Sequence, residues 1–101
     1  MLTLVAYLQA KPEKVQELET VLRSFVEPTR REPGCIDYHF HRSTDDPNVF
    51  MFYENWASRE DFEKHLAMPY LAAFWERRLD YLERDVDLRF ADMLSPYPSH
   101  A

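Results

Sequence analysis

A chain of 101 residues holds one domain with one core and leaves no room for a second that folds alone. With 46% hydrophobic and 15% aromatic residues it reads as globular and not disordered, and a formal charge of −6 argues against a nucleic-acid surface, which needs Lys and Arg to displace counterions. A single Cys35 excludes an intrachain disulfide and zinc sites that need two or more thiolates and fits a cytoplasmic location, while no apolar run approaches the roughly 20 residues that cross a bilayer.

In chain order, Leu2 to Leu8 is apolar on both alternating faces and predicts a strand covered on both sides, not a signal peptide. Pro12 and Glu13 open a helix whose Val15, Leu18, Leu22 and Phe25 form one stripe, and Pro28 is expected to kink or end it. Pro33-Gly34 stops the element. Cys35 to Arg42 and Val49 to Trp56 predict a hairpin about the turn Asp45-Asp46-Pro47-Asn48. Ser58, with Asp61 three residues on, caps a helix in which Phe62 and Leu66 face the core beside His65. Met68-Pro69 starts a second helical segment carrying Tyr70, Leu71, Phe74, Arg78 and Leu82, and the alternation over Asp85 to Met93 predicts a last strand.

This order is β-α-β-β-α-β, the split βαβ arrangement of ferredoxin-like α+β folds: an antiparallel sheet with helices on one face. Residues 1–94 form the domain and 95–101 an irregular tail. Because Met51, Tyr53 and Asn55 alternate with Phe50, Phe52, Glu54 and Trp56, the second face also needs a cover, and a second copy of the sheet is the simplest one.

Glu32-Pro33-Gly34-Cys35 followed by Tyr38, then Tyr53-Glu54-Asn55-Trp56, Ser58, and the run from Phe62 through His65 to Met68-Pro69-Tyr70 together resemble the antibiotic biosynthesis monooxygenase superfamily, especially its small quinol-monooxygenase-like branch. The resemblance covers almost the whole chain. It implies a dimeric α/β barrel of two sheets packed face to face, and oxygenation without flavin, haem or metal. Against the members that oxidise polycyclic anthrones only Trp56 matches: Phe52 and Phe62 stand where that group has Asn and Tyr, and Arg77 lies only near its Arg position. Against the haem-degrading members, Tyr7, His65 and Trp75 stand at the functional places, which disfavours haem degradation. The quinol-oxidising and signal-isomerising members share a His at the position of His65 but usually read Thr-Pro-His where this chain has Met68-Pro69-Tyr70.

The chemistry implied needs little from the protein. An electron-rich quinolate reduces oxygen one electron at a time, so a base, hydrogen-bond donors and an apolar cavity suffice. His65 is the candidate base, with Trp56 the second candidate catalytic residue; Phe52, Phe62 and Phe74 would wall the cavity, and Tyr38 and Tyr70 would donate hydrogen bonds. The same aromatics also read as core, and His65 as a structural histidine. Glu54 shares a strand face with Trp56 and could partner a cation or His65, while Asp37, His39 and His41 share a face of the second strand without the further ligand a metal site needs. The partners expected are a small aromatic or quinol-like molecule, oxygen and a second copy of the chain, with no cofactor, membrane or nucleic acid. An isomerase of a small metabolite on the same scaffold and a non-catalytic dimeric binding protein stay open as alternatives.

Overall fold

Strand β1 (Leu2–Gln9) turns Leu4, Ala6 and Leu8 into the core and Thr3, Val5 and Tyr7 to the other face, the period of two that a pleated strand imposes. In the computed structural model, which describes residues 1–98, a 3-10 turn (Pro12–Lys14) leads into helix α1 (Val15–Ser24), followed by a short helix α2 (Val26–Arg30). Strands β2 (Cys35–Arg42) and β3 (Val49–Trp56) form the hairpin, helices α3 (Arg59–Leu66) and α4 (Pro69–Tyr81) follow, and β4 (Asp87–Ala91) closes the sheet. The sheet order is β2-β3-β1-β4 with every neighbour antiparallel, the ferredoxin-like α+β arrangement. Of the predicted tail, residues 99–101 lie outside the described residues.

The helical stretch after β1 breaks one turn before Pro28. Its ring has no N–H for the carbonyl of Ser24 and crowds that residue, so α1 ends at Ser24 and α2 restarts at Val26. Leu18 and Leu22 bury one face of α1 against the sheet, and removing either side chain would cost about 2–5 kcal/mol. The last strand is shorter than the alternation predicts, running from Asp87 to Ala91, because as an edge strand it pairs only with β1, from Tyr7↔Asp87 to Thr3↔Ala91.

Glu32-Pro33-Gly34-Cys35 forms a tight turn closed by the Cys35 N–H on the Glu32 carbonyl at 3.2 Å, with Pro second and Gly34 third at φ +83°, the residue order of a type II turn. Glycine is required here twice over, because a Cβ on Gly34 would sit 2.2 Å from the Asp61 carboxylate at the start of α3. The Ala57 N–H also bonds the Gly34 carbonyl at 2.8 Å, tying the end of β3 to the turn. Ser58 then caps α3, accepting from the Asp61 N–H at 3.1 Å. The turn thereby fixes where Glu32 stands relative to α3.

On the face away from the helices, Asn55 is fully buried in a polar cluster. It accepts from the Thr3 hydroxyl at 2.5 Å and donates to Asp37 at 3.0 Å and to the Tyr53 hydroxyl at 2.9 Å. The tail folds back here, and the Tyr97 hydroxyl donates to Asp37 at 2.6 Å.

Candidate functional site

Between sheet and helices lies a cavity of about 50 Å³. Its sheet wall comes from Ala6, Leu8, Tyr38, Phe52, Glu54 and Leu88, and its helical wall includes Phe25, Phe62, His65, Leu71 and Phe74. Aromatic contacts stiffen these walls: Tyr38 lies 4.9 Å from Phe52, Phe74 meets Phe25 edge-on at 5.6 Å, and Phe62 meets Phe90 edge-on at 5.7 Å. A benzene-sized ring occupies a dry cavity of about 150 Å³, so the cavity must widen to hold a ring, and Leu66, Trp75, Val86 and Leu88 are the half-buried residues of its wall.

An imidazole and a carboxyl group interrupt this largely apolar lining. His65, 2% exposed, comes from the inner face of α3, one turn after Phe62. Its ring packs on the Trp56 indole with centroids 4.7 Å apart and meets Tyr38 edge-on at 5.6 Å. Its Nδ1 lies 3.1 and 3.2 Å from the two carboxylate oxygens of Glu32. Since a carboxylate only accepts, the proton sits on Nδ1, and Nε2 keeps its lone pair. Burial lowers the His65 pKa below its ordinary value and Glu32 opposes the shift, so the neutral imidazole is the resting form at neutral pH.

Glu32 is itself held. The Tyr70 hydroxyl donates to it, and the Thr29 hydroxyl lies 3.0 Å from the same phenol. Burial, together with that bond to Glu32, pushes the Tyr70 phenol up to about 12, so it stays protonated and donating. Thr29, Tyr70, Glu32 and His65 thus form one chain from α2, α4 and the turn to the cavity.

Glu54 enters from β3. It is 5% exposed, and its Oε1 accepts from the Trp56 indole N–H at 2.9 Å. Burial pushes its carboxyl up to about 7, against the opposing effect of the indole bond, and the nearby Glu32 adds to the rise. Directly across the ladder, Tyr38 is held well above the usual phenol range, again mainly by burial. Cys35 beside them is pushed to about 11 by burial and by Glu54, Glu32 and Asp37, which makes it a poor nucleophile.

The structure brings Tyr38, Phe52, Phe62, His65 and Phe74 onto the cavity wall. Trp56 and Tyr70 stand behind it: Trp56 is fully buried as the platform under His65 and the donor to Glu54, and Tyr70 acts on Glu32. Sequence spacing left open Glu54 as the partner of His65, and the geometry corrects this, since the imidazole faces Glu32 and Glu54 takes the indole. The cue was available in the Glu-Pro-Gly-Cys turn, but a contact across 33 residues has no periodic signature. Asp37, His39 and His41 do share the face away from the cavity, pairing with Asn55, Tyr53 and Met51, and no group of three candidate metal ligands occurs among the described residues.

Comparison with known proteins agrees with this architecture. The Synechocystis sp. protein sll1783 is 34% identical over 82 residues, which span 81% of this chain but 56% of that protein, so the chain matches little more than half the length of that relative. The crystal structure of PA3566 from Pseudomonas aeruginosa superposes with a TM-score of 0.87 at 30% identity, covering 93% of this chain and 94% of that one. A crystal structure named as an antibiotic biosynthesis monooxygenase gives the same TM-score at 27% identity, covering 94% of this chain and all of that one. The sequence model of that family matches residues 1–77, through both the Glu32 turn and the His65 helix, and the chain belongs to the antibiotic biosynthesis monooxygenase family.

Proposed function

We propose that the chain is the subunit of a cofactor-independent monooxygenase that acts on a small quinol or electron-rich phenol, with the substrate as its own reductant for oxygen. The observation that carries this reading is a buried neutral imidazole, its Nδ1 tied to Glu32, on the wall of an aromatic cavity. Family membership supports the reaction class. A ring lying against Phe52, Phe62 and Phe74 offers its hydroxyl to His65 Nε2. As the proton moves, Glu32 stabilises the imidazolium that forms. The phenolate then passes an electron to oxygen in surroundings that exclude water. Tyr38, next to His65 in the same wall, is in this reading the donor to the phenolate oxygen.

The proposal includes a homodimer joined through the open face of the sheet, where Val5, Met51 and Tyr53 supply apolar surface, and a cytoplasmic setting. The test is an oxygen electrode: purified protein with no added cofactor, screened against reduced benzoquinols and naphthoquinols, is expected to consume oxygen above the rate of autoxidation. Conversion of a ligand without oxygen uptake would instead select an isomerase, and binding without turnover a sequestering protein.

A further inference from the structure

The polar part of the cavity wall is two-sided, and removing a hydroxyl proton uses only one side. Glu54 is buried, yet the structure engages a single one of its oxygens: Oε1 takes the Trp56 N–H, while Oε2 has no hydrogen-bond partner among the described residues and opens on the cavity that the side chain lines. An indole N–H asks for one acceptor. An amide in this place would meet that demand without carrying an ionisable group into apolar surroundings. Burial and the Glu32 carboxylate in the turn favour the neutral form of Glu54, against the indole N–H of Trp56, and the other polar groups facing it, Tyr38 and Cys35 on β2 and neutral His65 across the indole, carry no charge. From β1 and β4 the facing residues are Leu4 and Phe90, which carry no charge.

We propose that Glu54 is the proton donor of this site, so that the pocket selects rings carrying an acceptor oxygen as well as an acidic hydroxyl. The proposal rests on the oxygenase reading for its chemical step. His65 takes the hydroxyl proton, the phenolate gives one electron to oxygen, and the radical pair joins at a ring carbon as a peroxide anion. Glu54 protonates the distal oxygen. The ring carbon then loses its hydrogen as a proton, the O–O bond breaks, and hydroxide and proton leave as water. In sum, a hydroquinone and O₂ give a hydroxyquinone and water, and the proton on His65 returns to Glu54 through solvent.

The test compares 4-methoxyphenol with 4-ethylphenol, similar in size and both neutral across the range used, of which only the first carries an acceptor opposite its hydroxyl. By calorimetry or fluorescence, the wild type should prefer 4-methoxyphenol about tenfold at about pH 6.5 and lose the preference by about pH 9, as Glu54 ionises. Glu54→Gln, which keeps an acceptor for Trp56 and a donor for the ligand, should hold its preference at both pH values. Its turnover with a quinol should fall about 100-fold, because an amide donates a hydrogen bond but no proton. Absence of any preference in the wild type, or the same pH dependence in the variant, would overturn the proposal, as would full turnover by the variant. If the wild type shows the pH-dependent preference but oxidises no quinol, the oxygenase reading fails and Glu54 stands as the donor.

Discussion

An imidazole clamped between an indole and a carboxylate has its tautomer and its orientation set by different neighbours, and substitution separates the two. His65→Gln keeps a side chain of similar volume against Trp56 but supplies no base, so turnover should fall by about 100-fold or more while binding of an inert phenol persists. Glu32→Gln still accepts a hydrogen bond yet cannot stabilise an imidazolium, so it should lower kcat by about 10- to 100-fold with little change in KM. Stopped-flow oxygen consumption checks both, and a Glu32 variant with unchanged kcat would reduce that residue to scaffolding. The buried ionisable pair also predicts opposite limbs of stability against pH. Glu54, raised from 4.5 to about 7, contributes stability that is complete below about pH 4.5 and lost as the pH rises through 7, on the order of 3 kcal/mol in total. His65, lowered from 6.5, contributes stability that is lost as the pH falls below that value. Urea midpoints measured across this range should show the alkaline decline in the wild type and its absence in Glu54→Gln.

At the level of elements, the Glu32–Cys35 turn joins architecture to chemistry. Gly34→Ala would force a Cβ into the Asp61 side chain and strain a backbone at φ +83°, at a cost of about 1–3 kcal/mol. Because the same turn carries Glu32, the variant should lose activity at temperatures where circular dichroism still reports it folded. Equal losses of folding and activity would separate the turn from the site. Much of this was legible in the sequence: the hairpin strands and the Ser58 cap follow from alternation, turn residues and capping chemistry, while the aromatics of the cavity wall were expected from the chemistry that the family resemblance implies. Three features were not. The break at Ser24 lies a turn before the Pro28 that causes it, since proline acts on the carbonyl behind it. The shortened β4 reflects where its pairing with β1 ends, at Tyr7↔Asp87 and Thr3↔Ala91, which no local pattern encodes. The Glu32–His65 contact depends on the packing of a turn against a helix far along the chain, so strand-face spacing pointed to Glu54 and gave no sign of Glu32.

For the molecule as a whole, the open face of the sheet is the feature on which the proposed dimer rests. Val5, Met51 and Tyr53 are only half-buried there, around the enclosed Asn55 cluster. A dimer is therefore expected at micromolar concentration, and light scattering across a size-exclusion peak checks it; a stable monomer would remove the case for a sheet-to-sheet barrel. The tail bears on how fast such a dimer forms. With Tyr97 donating to Asp37, and Met93, Ser95, Pro96 and Pro98 lining one surface hollow with Tyr53, a subunit of the proposed dimer would carry its own cover on part of the surface its partner would use. Association then has to wait for the strap to lift, so its observed rate should level off as concentration rises instead of climbing in proportion. Tyr97→Phe, which gives up the anchoring hydroxyl, should raise that plateau without altering the final dimer.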